Sequence, residues 1–127
     1  MPSSTLASSL DGHWKLFRAE LDGEEAPELV TTKTTLVLAN GTYEVHFAGE
    51  ISDRGSFAVN AEADPAVQML VLRSTSELHA GREIPCLYQH KGHLLRICYG
   101  LDGKMPLSFE TGPESARYLA LYRKLSE

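Results

Sequence analysis

No apolar run in this sequence approaches the roughly 20 residues that a membrane-crossing helix needs. The first ten residues, Met-Pro-Ser-Ser-Thr-Leu-Ala-Ser-Ser-Leu, hold no basic residue and no continuous apolar stretch, so they do not read as a secretory signal. Both absences argue against membrane insertion, and the chain as it stands reads as cytoplasmic. Basic residues are few and dispersed: 12 Lys and Arg face 17 Asp and Glu, for a net charge of −5. Without a basic stripe to track phosphates, nucleic acid is not an expected partner. Catalytic signatures are missing too. There is no Gly-x-Ser-x-Gly, neither cysteine has a His and an orienting group at a recognisable spacing, and the paired Glu24-Glu25 belongs to a loop, so an enzyme is the least supported reading. Of five histidines the closest pair is His90-Lys91-Gly92-His93, with no third ligand at a recurring spacing, so neither a metal nor a cofactor is expected.

Cysteine is scarce as well. Cys86 and Cys98 are too few for a disulfide framework, and they sit on the two arms of a hairpin that turns at Lys91-Gly92. A two-residue turn there sets Cys86 opposite Ile97 and Cys98 on the other face, which separates the thiols; a three-residue loop shifts the register and brings them together.

What the sequence does have is turn residues at short, even intervals: Asp11-Gly12, Asp22-Gly23, Asn40-Gly41, Asp53-Arg54-Gly55, Lys91-Gly92 and Asp102-Gly103. Such spacing specifies an all-β chain. After Asn40-Gly41, Tyr43, Val45 and Phe47 alternate with Thr42, Glu44 and His46, the period of a strand with one buried face. Eight strands are predicted, near 12–21, 34–39, 42–48, 55–60, 68–73, 83–90, 93–99 and 117–124. Helix is confined to Leu6–Leu10, which fits a plug for one barrel end, and a turn at Pro27–Val30. Pro85 falls inside the sixth strand, where it marks a bulge, a strand start or a gap in the wall. The Ser-rich residues 1–9 read as a flexible arm and residues 10–127 as one domain.

An even number of antiparallel strands closes when the first pairs with the last, so Gly12-His13-Trp14 comes to lie beside Tyr122-Arg123-Lys124. Trp14 and Arg123 are then expected to stack, indole under guanidinium, and with Gly12 to seal one end. The run of marks from Leu10-Asp11-Gly12-His13-Trp14-Lys15 through Glu20-Leu21-Asp22-Gly23, Asn40-Gly41-Thr42-Tyr43, Arg54-Gly55-Ser56-Phe57, Asp64-Pro65, Leu87-Tyr88 and Leu95-Arg96-Ile97-Cys98 to Leu121-Tyr122-Arg123-Lys124 resembles a bacterial family of uncharacterised lipocalin-like domains, abundant in planctomycetes. The resemblance spans residues 10 to 125. It departs at Cys86, where the family tends to carry Gly, and at Met105-Pro106, where it tends to carry Arg-Pro. It implies an eight-stranded antiparallel up-and-down lipocalin-like β-barrel, and no activity.

The interior of such a barrel suits filling side chains or one small ligand. Alternation points Arg18, Tyr43, Phe47, Phe57, Arg73, Tyr88 and Tyr99 inward as a ligand-binding set, the polar ends orienting a carboxylate or hydroxyl on a small lipophilic or aromatic molecule. The alternative is a filled barrel that binds a protein partner through loops 74–82 and 100–115, the second offering Met105, Leu107 and Phe109. No feature fixes an oligomeric state.

Overall fold

A computed structural model describes residues 10–64, 67–75, 82–112 and 115–125. The elements run β1 (Gly12–Leu21), β2 (Glu24–Glu25), α1 (Glu28–Lys33), β3 (Thr34–Ala39), β4 (Thr42–Phe47), β5 (Glu50–Asp64), β6 (Val67–Ser74), β7 (Glu83–Lys91), β8 (Leu94–Gly100) and β9 (Arg117–Lys124). Every neighbouring pair is antiparallel, and β9 returns to β1, which closes eight strands into an up-and-down barrel with β2 as an extra ribbon. All eight strands anticipated from the turn residues are present. The Asn40-Gly41 turn has both residues at positive φ, 52° and 79°, as a type I′ hairpin requires.

One strand starts earlier than its turn residues suggest. Asp53-Arg54-Gly55 reads as a turn, yet β5 already begins at Glu50 and pairs with β4 through Asp53↔Val45 and Gly55↔Tyr43. The actual turn is Ala48-Gly49, with φ of 54° and 87°. A register shift between Val45 and His46 absorbs the misfit and leaves Asp53 in mid-strand. The β7–β8 turn likewise falls one residue later than expected, at Gly92-His93, so Cys86 pairs with Tyr99 and Leu87 with Cys98. The thiols still end on opposite faces, and both are free.

Pro85 opens no gap. It pairs with Val71 without a register shift and precedes the first β7–β8 partner pair, where a residue lacking an N–H does least harm. The wall is interrupted elsewhere. β1 uses one edge twice, pairing Gly12–Lys15 with β3 and Glu20–Leu21 with β2, so residues 16–19 have no strand partner on that side. The six-residue helix α1 links β2 to β3 there, at the Pro27–Val30 turn that the sequence suggests, and Val30 packs onto the core. Lys15 Nζ holds it by donating to the carbonyls of Thr31 (2.8 Å), Thr32 and Thr34 (3.3 Å), groups that the end of a helix leaves without partners.

The core lies inside the barrel, from Leu10, Trp14 and Leu16 through Leu36, Leu38, Leu70 and Leu72 to Leu95, Ile97 and Ala120. Residues 101–112 return across the outer wall. There Phe109 lies 3.8 Å from the Arg96 guanidinium, Thr111 donates to Glu20 and accepts from the Gly23 N–H, and Pro106 is fully buried. On the same outer face Leu87 and Cys98 are buried. The proposed arm 1–9 lies outside the described residues; of the suggested plug, Leu10 is described and buried.

Candidate functional site

Trp14 closes the barrel at the end where β1 begins. It is 0 % exposed and donates its indole N–H to the Leu10 carbonyl at 2.8 Å. His90, next to the β7–β8 turn, packs T-shaped against the indole with ring centroids 5.5 Å apart and is half-buried. The expected Trp14–Arg123 stack is not formed. In the β1–β9 register Trp14 pairs with Lys124 and Lys15 with Arg123, so Arg123 shares the outer face with Lys15. Its guanidinium lies over Phe17 at 5.1 Å, while Lys124 Nζ sits 5.7 Å from the indole centroid. One residue of register reverses the face of every side chain on a strand, and here it replaces the cation. Gly12 has φ 144°, and a Cβ there would come within 2.8 Å of Lys124 Cε, so the glycine makes room for that lysine.

Of the anticipated ligand set, the structure brings Tyr43, Phe57, Tyr88 and Tyr99 together inside. Phe47 follows Tyr43 and Val45 to the rim, where it is 38 % exposed. Arg18 and Arg73 point out. The bulge between Leu16 and Arg18 hands the inward position to Ala19, and the pairs Gly55↔Ser74 and Ser56↔Arg73 give the next one to Ser74. Arg73 instead meets Glu83 at 3.3 Å on the surface.

The interior also holds residues that alternation did not single out. All five tyrosines of the chain belong to the core or pack against it, Tyr118 and Tyr122 included. Tyr99 and Tyr122 share a hydroxyl–hydroxyl bond of 2.7 Å, and the Tyr99 and Tyr118 rings lie 5.5 Å apart. Across the barrel, Asp53 accepts from Tyr43 (3.0 Å to Oδ2) and Ser74 (2.7 Å to Oδ1), and Oδ1 also accepts the Arg54 N–H at 2.9 Å. Tyr118 and Tyr122 follow from the inward alternation of β9. Asp53 gave no such signal, because an Asp two residues before a Gly looks like a turn. Cys86 is inside between these groups, fully buried.

Burial dominates the ionisation of these groups, because an anion loses its hydration there. It pushes Tyr88 up to about 12 and raises Tyr99, Tyr118 and Tyr122. Tyr43 is raised by burial and then by its bond to Asp53, and the Cys86 thiol by burial and then by Cys98. The interior phenols and the thiol are therefore neutral at ordinary pH, suited to hydrogen bonding and not to nucleophilic attack. Among the described residues no group of three His, Cys, Asp or Glu is arranged to hold a metal. No described helix is long and apolar enough to cross a membrane.

On the outside, Phe17, Leu94 and Leu121 line a groove of about 180 Å³ bordered by Gln89, Lys91 and Arg96. Of the loop residues expected to meet a partner, Leu107 is 96 % exposed, whereas Met105 and Phe109 are half-buried; loop 74–82 falls largely outside the described residues. No protein-family model matches the chain, and neither the curated proteins nor the solved structures give a match.

Proposed function

We propose that the chain is a lipocalin-like container that holds a small lipophilic or aromatic molecule inside the barrel, at the end away from Trp14. The observation that carries this reading is the inward gathering of all five tyrosines above a sealed floor. A barrel that needs only to be filled is served by aliphatic side chains, whereas every buried hydroxyl has to be partnered. Aromatic faces with a few convergent polar groups are the usual lining of small-molecule sites. The alternative, a partner surface on the 100–115 loop, has Leu107 in its favour, but Phe109 is already engaged with Arg96.

The test is uptake of N-phenyl-1-naphthylamine, an uncharged naphthalene whose fluorescence rises in apolar surroundings, followed with a thermal-shift measurement. Saturating probe should raise the melting temperature by mass action, by about 2–3 kcal/mol of added stability at a hundredfold excess over Kd. Tyr99→Phe should weaken binding, and Leu94→Ser in the outer groove should leave it unchanged. Uptake lost in Leu94→Ser and kept in Tyr99→Phe would assign the probe to the groove and end the container reading.

A further inference from the structure

We infer that the molecule held in the barrel is uncharged, a neutral aromatic bearing a hydroxyl or carbonyl group, and that carboxylates of the same size are rejected. The inference rests on the container reading and adds the chemical class of the occupant. It follows from where the charges of the chain are placed. All 12 Lys and Arg lie within the described residues, and none is buried among the interior tyrosines. Arg18 and Arg73, which the alternation pattern offered as carboxylate partners, face solvent. Lys15 is committed to the carbonyls of Thr31, Thr32 and Thr34, and Arg96 lies against Phe109 on the outer wall. Lys124 is at the floor, its Nζ 5.7 Å from the centroid of the Trp14 indole.

The acids are distributed the other way. Asp53 receives hydroxyl hydrogen bonds from two side chains that are themselves almost fully buried, Tyr43 and Ser74, and so turns toward the interior. At the floor, Asp11 Oδ1 is enclosed and has no hydrogen-bond partner among the described residues. An anionic ligand would therefore give up its hydration, find no positive partner, and come close to a carboxyl group. A neutral ligand meets none of these costs, and phenol hydroxyls serve it as both donors and acceptors. Neutral ring faces and hydroxyls together suit a flat molecule with one or two polar substituents.

The experiment compares 2-naphthol with 2-naphthoate, two rings of equal size that differ in charge at neutral pH, by calorimetry on the full chain. The expected result is naphthol binding at least about tenfold more tightly, since an unpaired buried anion is the expensive case. Asp53→Asn keeps one oxygen to accept from the Ser74 hydroxyl and the Arg54 N–H, offers the Tyr43 hydroxyl an amide N–H to accept in place of the second oxygen, and removes the negative charge; it should raise naphthoate affinity several-fold and leave naphthol within about twofold. Acidifying the wild-type protein until naphthoate is itself protonated should bring its affinity up to that of naphthol, a readout that does not depend on the variant folding. Naphthoate binding as tightly as naphthol overturns the inference and leaves the container reading standing. Binding of neither ring overturns both.

Discussion

Lys124 does what the sequence pattern assigns to its neighbour. A cation beside the first-strand tryptophan is legible from closure alone, because the first and last strands pair; which of Arg123 and Lys124 supplies it depends on a register that no local signal fixes. The exchange has measurable consequences. Trp14→Ala should cost about 3–5 kcal/mol in chemical denaturation, the usual penalty for emptying a buried aromatic position. Lys124→Met should cost about 0.5–1 kcal/mol, the range of a cation over an aromatic face, and Arg123→Met less, since its partner Phe17 is exposed. Equal losses in the two methionine variants would contradict the observed register. Register likewise turns Arg18 and Arg73 outward, through a bulge in one case and a one-residue offset in the other.

At the scale of elements, α1 has the weakest claim to independent stability. It is six residues long, has no side-chain N-cap bond and buries no residue completely. Its attachment comes through Lys15 and Val30 and through the Thr34 hydroxyl, which donates to the Val30 carbonyl at 2.6 Å. Burial and the nearby Lys33 both hold the Lys15 ammonium below its ordinary range. Replacing Lys15 by Met should speed amide exchange through residues 28–34 by about tenfold while the β-ladders keep their protection, because only the clasp is lost. Unchanged exchange in that segment would show that Val30 alone suffices. The helix itself was legible, since Pro27 followed by Glu28 is a recognisable start. The break in strand pairing behind it was not, for no turn residue marks the point in β1 where its partner edge changes from β3 to β2.

For the molecule as a whole, the alternation and turn pattern carried the number of strands and their order, because each β-hairpin is a local event and closure follows from an even count. The polar content of the interior was carried less well. Tyr43, Tyr88 and Tyr99 were found by alternation, but the inward acid Asp53 was hidden in a sequence that looks like a turn. The neutral phenols give the fold a characteristic pH response. Tyr88 is held near 12, above the value of about 10 that it has when unfolded, so between these limits the folded state retains protons that the unfolded state has lost. Its contribution is complete below about pH 10 and drains away as the pH climbs toward 12. Denaturation midpoints should fall across that window, and fall less steeply in Tyr88→Phe; midpoints that hold level to pH 12 would show the phenols to be more accessible than the structure places them.

The seam between β1 and β9 also orders events in time. Strands that are neighbours along the chain can zip as soon as they exist, but the first ribbon acquires its second neighbour only when the last has been synthesised. Until then a nascent chain presents two raw flanks and a half-wrapped greasy trough to the ribosome surface and its chaperones. Closure of the barrel should accordingly be governed by how fast β9, Arg117–Lys124, emerges.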